Sequence, residues 1–172
     1  MTLLQSERIQ ILPLSLQQVE WQASDLSLLE QSLGLNPNII KLDDFFKNEM
    51  QSAFHSYTIP KMKEYPDDQL WFTSWIIINR SEKKYIGSLG MGNFPNDQGE
   101  VTIGYFIDQK FNGQGFASEA VGLFVKYLFK EMGVKRVSAT IPIGHKASER
   151  VVAKNSFVVV EELEEEGMKI YK

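Results

Sequence analysis

The sequence predicts an α/β domain with a mixed, mostly antiparallel twisted sheet of six to seven strands and about four flanking helices. Three observations predict it. Short runs of β-branched and aromatic residues recur between stretches of helical spacing. Several of these runs follow one another with only polar turns between them, as antiparallel neighbours do. One long helical pattern then separates two such runs, which is the pattern of a βαβ crossover.

The elements follow in order. Arg8 to Leu14 (RIQILPL) reads as a short strand ending near Pro13. Ser24 to Leu33 has helical spacing, with Ser24 or Asp25 as N-cap and Gly34 as the stop. A second helix runs from about Leu42 to Ser56, and Pro60 and Pro66 bracket a polar connection. Leu70 to Asn79 (LWFTSWIIIN) is a buried strand, Arg80 to Lys83 a turn, and Tyr85 to Met91 the strand that completes a hairpin. After the loop GNFPNDQG, Glu100 to Asp108 forms a third strand of this group. Ser118 to Met132 is the long helix, closed by Gly133. Lys135 to Ile141 is a strand, His145 to Lys154 a short helix, and Phe157 to Glu162 and Met168 to Tyr171 are the last strands.

Composition narrows the function. At 172 residues with 43% hydrophobic content, one domain spanning 1–172 can build a sizeable core. The net charge of −4, with no Lys/Arg run, speaks against nucleic acid as a partner. The absence of cysteine excludes disulfides, thiolate catalysis and Cys-ligated zinc. Only His55 and His145 are present, so no His-rich metal site is expected. No apolar run approaches the ~20 residues of a membrane span, and MTLLQSERIQ lacks the features of a signal peptide. A cytoplasmic location with no membrane partner is the expectation.

The segment Lys110 to Ala120 (KFNGQGFASEA) carries the chemistry. A strand, a glycine-rich turn and a helix start follow one another here. The first-turn amides of a helix have no partners within it, and the helix dipole places positive charge at that end. Gly113 and Gly115 can turn several N–H groups one way and let a ligand approach, which makes an anion cradle. The plain alternative is a turn with Ser118 as N-cap. The Gly-Lys-Ser/Thr ending of a P-loop is absent. The third glycine of a dinucleotide fingerprint is replaced by Ser118, with no acidic residue at the right distance.

The stretch Asn112-Gly113-Gln114-Gly115-Phe116-Ala117 resembles motif A of the GNAT acetyltransferases, Arg/Gln-x-x-Gly-x-Gly/Ala. Gly104 to Asp108 followed by Gly115 to Ala120 is similar to the RimJ/RimL branch of that superfamily. So are Ser6-Glu7-Arg8-Ile9 at the start, and His145-Lys146-Ala147-Ser148 with Lys154-Asn155-Ser156-Phe157 later. The resemblance implies the GNAT fold and acetyl-coenzyme A as co-substrate. Amides around Asn112, Gly113, Gln114, Gly115, Phe116, Ala117 and Ser118 would hold the pyrophosphate. The strand from Tyr105 through Phe106 and Ile107 would hold the pantetheine, with the Ile107 N–H facing the thioester oxygen. Three positions depart from the pattern. Asn112 stands for Arg or Gln, His145 stands for an Asn that contacts the cofactor, and Ser156 stands for Gly. Asn155, which tolerates left-handed angles, could end the short helix one residue early.

Acetyl transfer to an amine requires proximity, a neutral nucleophile, an oxyanion donor and a proton or hydrogen bond for the departing thiolate. Glu100, at the head of the strand that would carry the acetyl group, is the first candidate base. Its plain alternative is a solvated strand end. Ser148, matching the Ser of the branch motif, is the candidate acid, against a capping role. Tyr105 could serve instead, against packing. His145 has a suitable side chain for a base, against a simple helix start. Leu123, Phe124, Tyr127 and Leu128 read as core, as do Trp71 and Trp75, and Glu161 to Glu166 as a solvated hairpin.

The leading expectation is an N-acetyltransferase acting on a primary amine, either a protein N-terminus or a small amine. The acceptor pocket would lie within about Asp25 to Lys63, which holds no decodable motif. A non-catalytic acyl-coenzyme A-binding module and a nucleotide-binding α/β protein are the alternatives. The oligomeric state is not readable from the sequence, and a homodimer is suggested only by analogy with related proteins.

Overall fold

The computed structural model describes residues 3–42 and 44–172. Asp43, inside the expected 42–56 helix, lies outside them. The chain opens with β1 (Leu4–Gln5) and β2 (Ile9–Pro13). Helix α1 (Leu16–Ser24) starts at Ser15 through a capping box with Gln18. Asp25 breaks the chain into an extended conformation and caps α2 (Leu26–Ser32) by accepting from the Ser27 N–H.

Helix α3 (Asp44–Ala53) does not end near Ser56 as the sequence suggests. It continues through a π turn, Phe54–Thr58, into α4 (Ile59–Glu64). Pro60 is therefore inside a helical rod and not in a polar connection. The wider turn explains how the rod tolerates it: proline has no N–H to donate, and its ring would clash with the carbonyl four residues back in a regular helix. The Ile59 N–H reaches five residues back to Phe54.

Four strands then follow as expected, with shifted ends. Gln69–Trp71 is a 3-10 turn, and β3 is only Trp75–Asn79. The break arises because the Thr73 N–H bonds back to Gln69 at 2.9 Å and its hydroxyl is spent on Leu14 at 2.6 Å. β4 (Lys84–Met91), β5 (Glu100–Ile107) and β6 (Arg136–Pro142) follow. Helix α5 (Phe116–Lys130) crosses between β5 and β6. The Val134 N–H bonds the Leu128 carbonyl at 3.1 Å across Gly133, which has φ +68°. Helix α6 (Lys146–Lys154) and the hairpin β7 (Val159–Leu163) and β8 (Met168–Tyr171) complete the chain.

Among the described residues the sheet has eight strands in the order β1-β2-β3-β4-β5-β6-β8-β7, somewhat more than the six to seven expected. The two-residue β1 is the strand with no sequence signal. Only β5 and β6 are parallel, as the crossover requires. Helices α1 to α4 cover one face, over Leu12, Ile76, Ile78 and Tyr85. Helices α5 and α6 cover the other, over Ile77, Ile86, Val101 and Ile103. Phe124 and Leu128 are fully buried there, and Leu123 and Tyr127 pack beside them. Trp75 packs on Phe124 and Tyr127, each at 5.2 Å. Each such large side chain contributes about 1.5–3 kcal/mol by leaving water.

Candidate active site

The parallel pairing of β5 and β6 stops after Thr102↔Ser138. Beyond it the facing edges are unpaired, while β6 pairs on its other edge with β8 and β5 with β4. On β5 the Thr102 carbonyl accepts from Gly92, and the Asp108 N–H donates to Ile86. The alternation of an antiparallel ladder then commits the even-numbered residues of β5 to β4. Backbone groups of Ile103, Tyr105 and Ile107 face the open wedge. A cleft of about 930 Å³ occupies it and passes from one face of the sheet to the other.

At one end of this cleft stands the glycine turn. Gly113 and Gly115 have φ of +75° and +85°, which L side chains adopt only with strain. Gly115 is the N-cap of α5, and the first helical bond runs from the Glu119 N–H to its carbonyl at 3.0 Å. The amides of Phe116, Ala117 and Ser118 therefore stand ahead of the intrahelical ladder. Ser118 is the third residue of the helix and not its cap, which corrects the plain alternative. Asn112, Gly113, Gly115, Phe116, Ala117 and Ser118 line the cleft; Gln114 does not. The Gln114 carbonyl accepts from Arg8 Nη1 at 3.0 Å, and its amide donates to Lys110.

Arg8 is the residue that sequence reading missed here. Its guanidinium lies 4.6 Å over the Phe116 ring and donates to both the Gln114 carbonyl and the Glu119 carboxylate. The Ser6 hydroxyl donates to the same carboxylate. Glu119, one turn into α5, would otherwise present bare negative charge beside the turn. The resemblance at Ser6 to Ile9 was the available signal, but the sequence does not say what those residues touch.

Helix α6 forms the opposite wall. His145 caps it, its Nδ1 accepting from the Ser148 N–H at 3.3 Å. The Ser148 carbonyl accepts from the Tyr105 hydroxyl at 3.2 Å. Burial pushes the Tyr105 phenol up to about 12, although its hydrogen bond to Ser148 opposes this. His145, Ser148, Tyr105, Phe106 and Ile107 all line the cleft, with Arg150 and Lys154 adding positive charge. Asn155 ties α6 to α5 by donating to the Ser118 carbonyl at 3.0 Å. A Cβ on Gly122 would come within 2.7 Å of its side-chain oxygen, so a larger residue there would have to displace the Asn155 side chain. Asn155 itself is not left-handed (φ −101°); the residue that turns is Ser156, with φ +65°.

Glu100 is not brought to this site. It starts β5 at the paired end of the wedge and does not line the cleft. Its carboxylate faces Lys172 Nζ at 3.0 Å and Arg136 at 3.5 Å. Burial pushes the carboxyl up, but Lys172 above all, with Ser138 and Arg136, holds it below its ordinary value of 4.5. Such a group is a poor base.

The far end of the cleft opens on the face covered by α3 and α4. Met50, Phe54 and Tyr57 of the helical rod, with Leu42 and Phe72, make its walls. Tyr57 donates to the Gly92 carbonyl at 2.5 Å, fixing the π turn over the sheet. Phe72 stacks on Tyr65 at 5.3 Å and meets Phe94 edge-on at 4.9 Å. The hydroxyls of Ser74 and Ser88 form its floor, above the bonds from Gln22 to Tyr85 and Ser88. Among the described residues, no group of three or more His, Asp or Glu could hold a metal ion. No described helix is long and apolar enough to cross a membrane.

A wedge between two parallel strands, with a glycine turn and a helix N-terminus at its mouth, is the arrangement that the motif resemblance to the GNAT family implies. The GNAT acetyltransferase domain model matches residues 20–158, and the chain belongs to that family. Uncharacterized N-acetyltransferase YoaA of Bacillus subtilis (strain 168) is 32% identical over 48% of this chain and 47% of its own length. Probable N-acetyltransferase YjcK of the same organism is 28% identical over 74% of each chain. The match thus spans about half of one relative and three quarters of the other. Mycobacterium smegmatis RimJ, solved in complex with CoA-disulfide, superposes with a TM-score of 0.66 at 16% identity, covering 95% of this chain and 80% of that one. At that identity the likeness supports the fold that the motifs imply.

Proposed function

We propose that the chain transfers the acetyl group of acetyl-coenzyme A to a primary amine, either a protein N-terminus or a small molecule. The unpaired edge of β5, leading from the glycine turn into the wedge, is the observation that supports this most. The amides of residues 116–118, with Gly113 and Gly115, suit a pyrophosphate. Arg150 and Lys154 supply positive charge beside it. The free edge at Tyr105 and Ile107 suits the amide-bearing pantetheine arm as an added strand. The Ile107 N–H then serves as donor to the oxyanion.

The amine nitrogen attacks the thioester carbonyl carbon, forming the C–N bond as the C–S bond breaks. One proton leaves nitrogen and one ends on sulfur. Ser148 is the hydroxyl on the α6 side that can hydrogen-bond the leaving sulfur, and Tyr105, protonated throughout the working range, can do so by turning its proton away from the Ser148 carbonyl. Glu100 takes no part in this reading.

Isothermal titration with acetyl-coenzyme A, ATP and NAD in parallel tests it. Micromolar binding of acetyl-coenzyme A alone is expected, with thiol release once an amine is supplied. No binding by folded protein would overturn it, and binding without release to any amine would leave a binding module. Gly115→Glu, which places a carboxylate at a strained cradle position, is expected to abolish that heat while the far-UV spectrum is unchanged. Undiminished affinity would remove the turn from the site.

A further inference from the structure

The Ile107 N–H stands where a strand ordinarily frays. Ile107 is the last residue of β5, and its backbone faces the open wedge, beyond the last pairing with β6. An amide that must meet a reacting oxygen cannot share the looseness of a strand end. A misplacement of about 1 Å can cost on the order of 10²-fold in rate. The next residue supplies the hold.

Asp108 is fully buried, and no step of the transfer uses it. One carboxylate oxygen accepts from Asn38 Nδ2 at 3.0 Å. The other accepts from the Lys41 and Lys110 amides, each at 3.2 Å. The Asp108 N–H donates to the Ile86 carbonyl of β4 at 2.8 Å, and the Gln109 N–H donates to the Lys41 carbonyl at 3.0 Å. Asn38 is itself fixed. Its N–H donates to Glu30 at 2.8 Å, and its side chain also donates to the Tyr85 carbonyl at 2.9 Å. The Asp108 side chain thus ties the end of β5 to residues 38–41, which join α2 to α3, and to the short turn Gln109–Phe111 that leads to Gly113. On the β4 side the strand has no room to shift. A Cβ on Gly87 would come to 2.2 Å from the Phe106 carbonyl oxygen and 3.0 Å from Ile107 Cα.

Granted the acetyltransferase reading above, we propose that Asp108 is a positioning residue. It holds the Ile107 N–H on the thioester oxygen by clamping the end of β5 to residues 38–41. A carboxylate suits this task because both of its oxygens accept, so donors from two segments can converge on one side chain. A carboxamide has one accepting oxygen, and its NH2 would face the Asn38 NH2.

The test is thiol release from acetyl-coenzyme A with an amine acceptor, together with calorimetry, on two variants and a control. Asp108→Asn keeps the size of the side chain, and its oxygen can still accept from Lys41 and Lys110, which preserves the turn. Its kcat is expected to fall about tenfold, a partial loss of one oxyanion donor. The acceptor KM and the affinity for acetyl-coenzyme A are expected to stay within about threefold, the signature of a contact made in the transition state. Asn38→Ala cuts the same link from the other partner with Asp108 in place, and the same split is expected. The control is Leu128→Ala, a fully buried truncation about three turns along α5 from the glycine turn. It is expected to lower the melting temperature and leave kcat unchanged, measured well below that temperature. Wild-type kcat in both folded variants, or an equal fall in Leu128→Ala, would overturn the inference with the acetyltransferase reading intact. A wild-type protein that binds no acetyl-coenzyme A would overturn that reading and this inference together.

Discussion

The side chain with the most consequential placement is Arg8. Its guanidinium joins residues 111 positions apart and neutralises Glu119 beside the glycine turn. Removing it in Arg8→Ala leaves a carboxylate next to the proposed phosphate site and frees the Gln114 carbonyl. Acetyl-coenzyme A affinity is expected to fall about five- to tenfold, with a smaller fall in 0.5 M salt, where exposed charges are screened. An affinity equal to wild type at low salt would reduce Arg8 to a packing role. Ser156 makes a different point. It holds φ +65° where the family pattern has Gly, and left-handed backbone costs a non-glycine residue ~1 kcal/mol. Ser156→Gly is expected to raise the melting temperature by about 2–4 °C, a shift characteristic of ~1 kcal/mol at this chain length. A lowered melting temperature would mean that the Ser side chain contributes more than its backbone costs.

The same two residues show what a sequence can state at this scale. The glycines at 113 and 115 were legible because a backbone demand is written in the residue type. Ser156 was legible as a departure, but the left-handed site was assigned to Asn155, since Asn is the usual substitute. Arg8 was not legible as a brace, because an ion pair with a distant partner leaves no local pattern. Glu100 was misplaced for a related reason: position along a strand does not tell which end of a wedge is open.

Among the elements, the helical rod of α3, π turn and α4 carries one wall of the cleft, where the proposed acceptor would sit. Its irregularity follows from Pro60, and the turn sets Phe54 and Tyr57 over the cleft. Pro60→Ala restores the missing donor and allows a regular helix, which rotates everything before it relative to α4. Loss of the Tyr57 bond to Gly92 and a rise of about tenfold in the acceptor KM are expected, at constant acetyl-coenzyme A affinity. An unchanged KM would show that another contact fixes the rod. Sequence reading ended this helix at Ser56 because proline usually stops one. It missed α1 because only Val19 of that helix is buried, so its apolar stripe is faint. The elements around the long helix were read to within about two residues, since α5 has a full apolar face and a Schellman glycine behind it.

For the whole molecule, the paired end of the wedge is an electrostatic clasp. Glu100 of β5, Arg136 of β6 and Lys172 beyond β8 meet there. The Glu100 carboxyl is held below 4.5, so its contribution to stability is complete above that pH and is lost as pH falls through the lowered folded value. Denaturant midpoints of wild type and Glu100→Gln should therefore differ at pH 7 and converge towards pH 3. A gap that stays constant over that range would assign the effect to packing and not to charge. The fold class and the crossover were legible from element order alone. The number of strands was not, because β1 is two residues long and joins the sheet only by lying against β2.

The strand order β6-β8-β7 has a consequence for how the protein comes to exist. β8 follows both β6 and β7 in the chain, yet it lies between them in the sheet. A growing chain that has already made the glycine turn, α5 and α6 still lacks the strand that pairs with the other edge of β6. Until residues 168–171 emerge, the edge of β6 that faces away from β5 is uncovered. Pairings this distant along the chain form late. The cleft between β5 and β6 is thus completed only once residues 168–171 have joined the sheet.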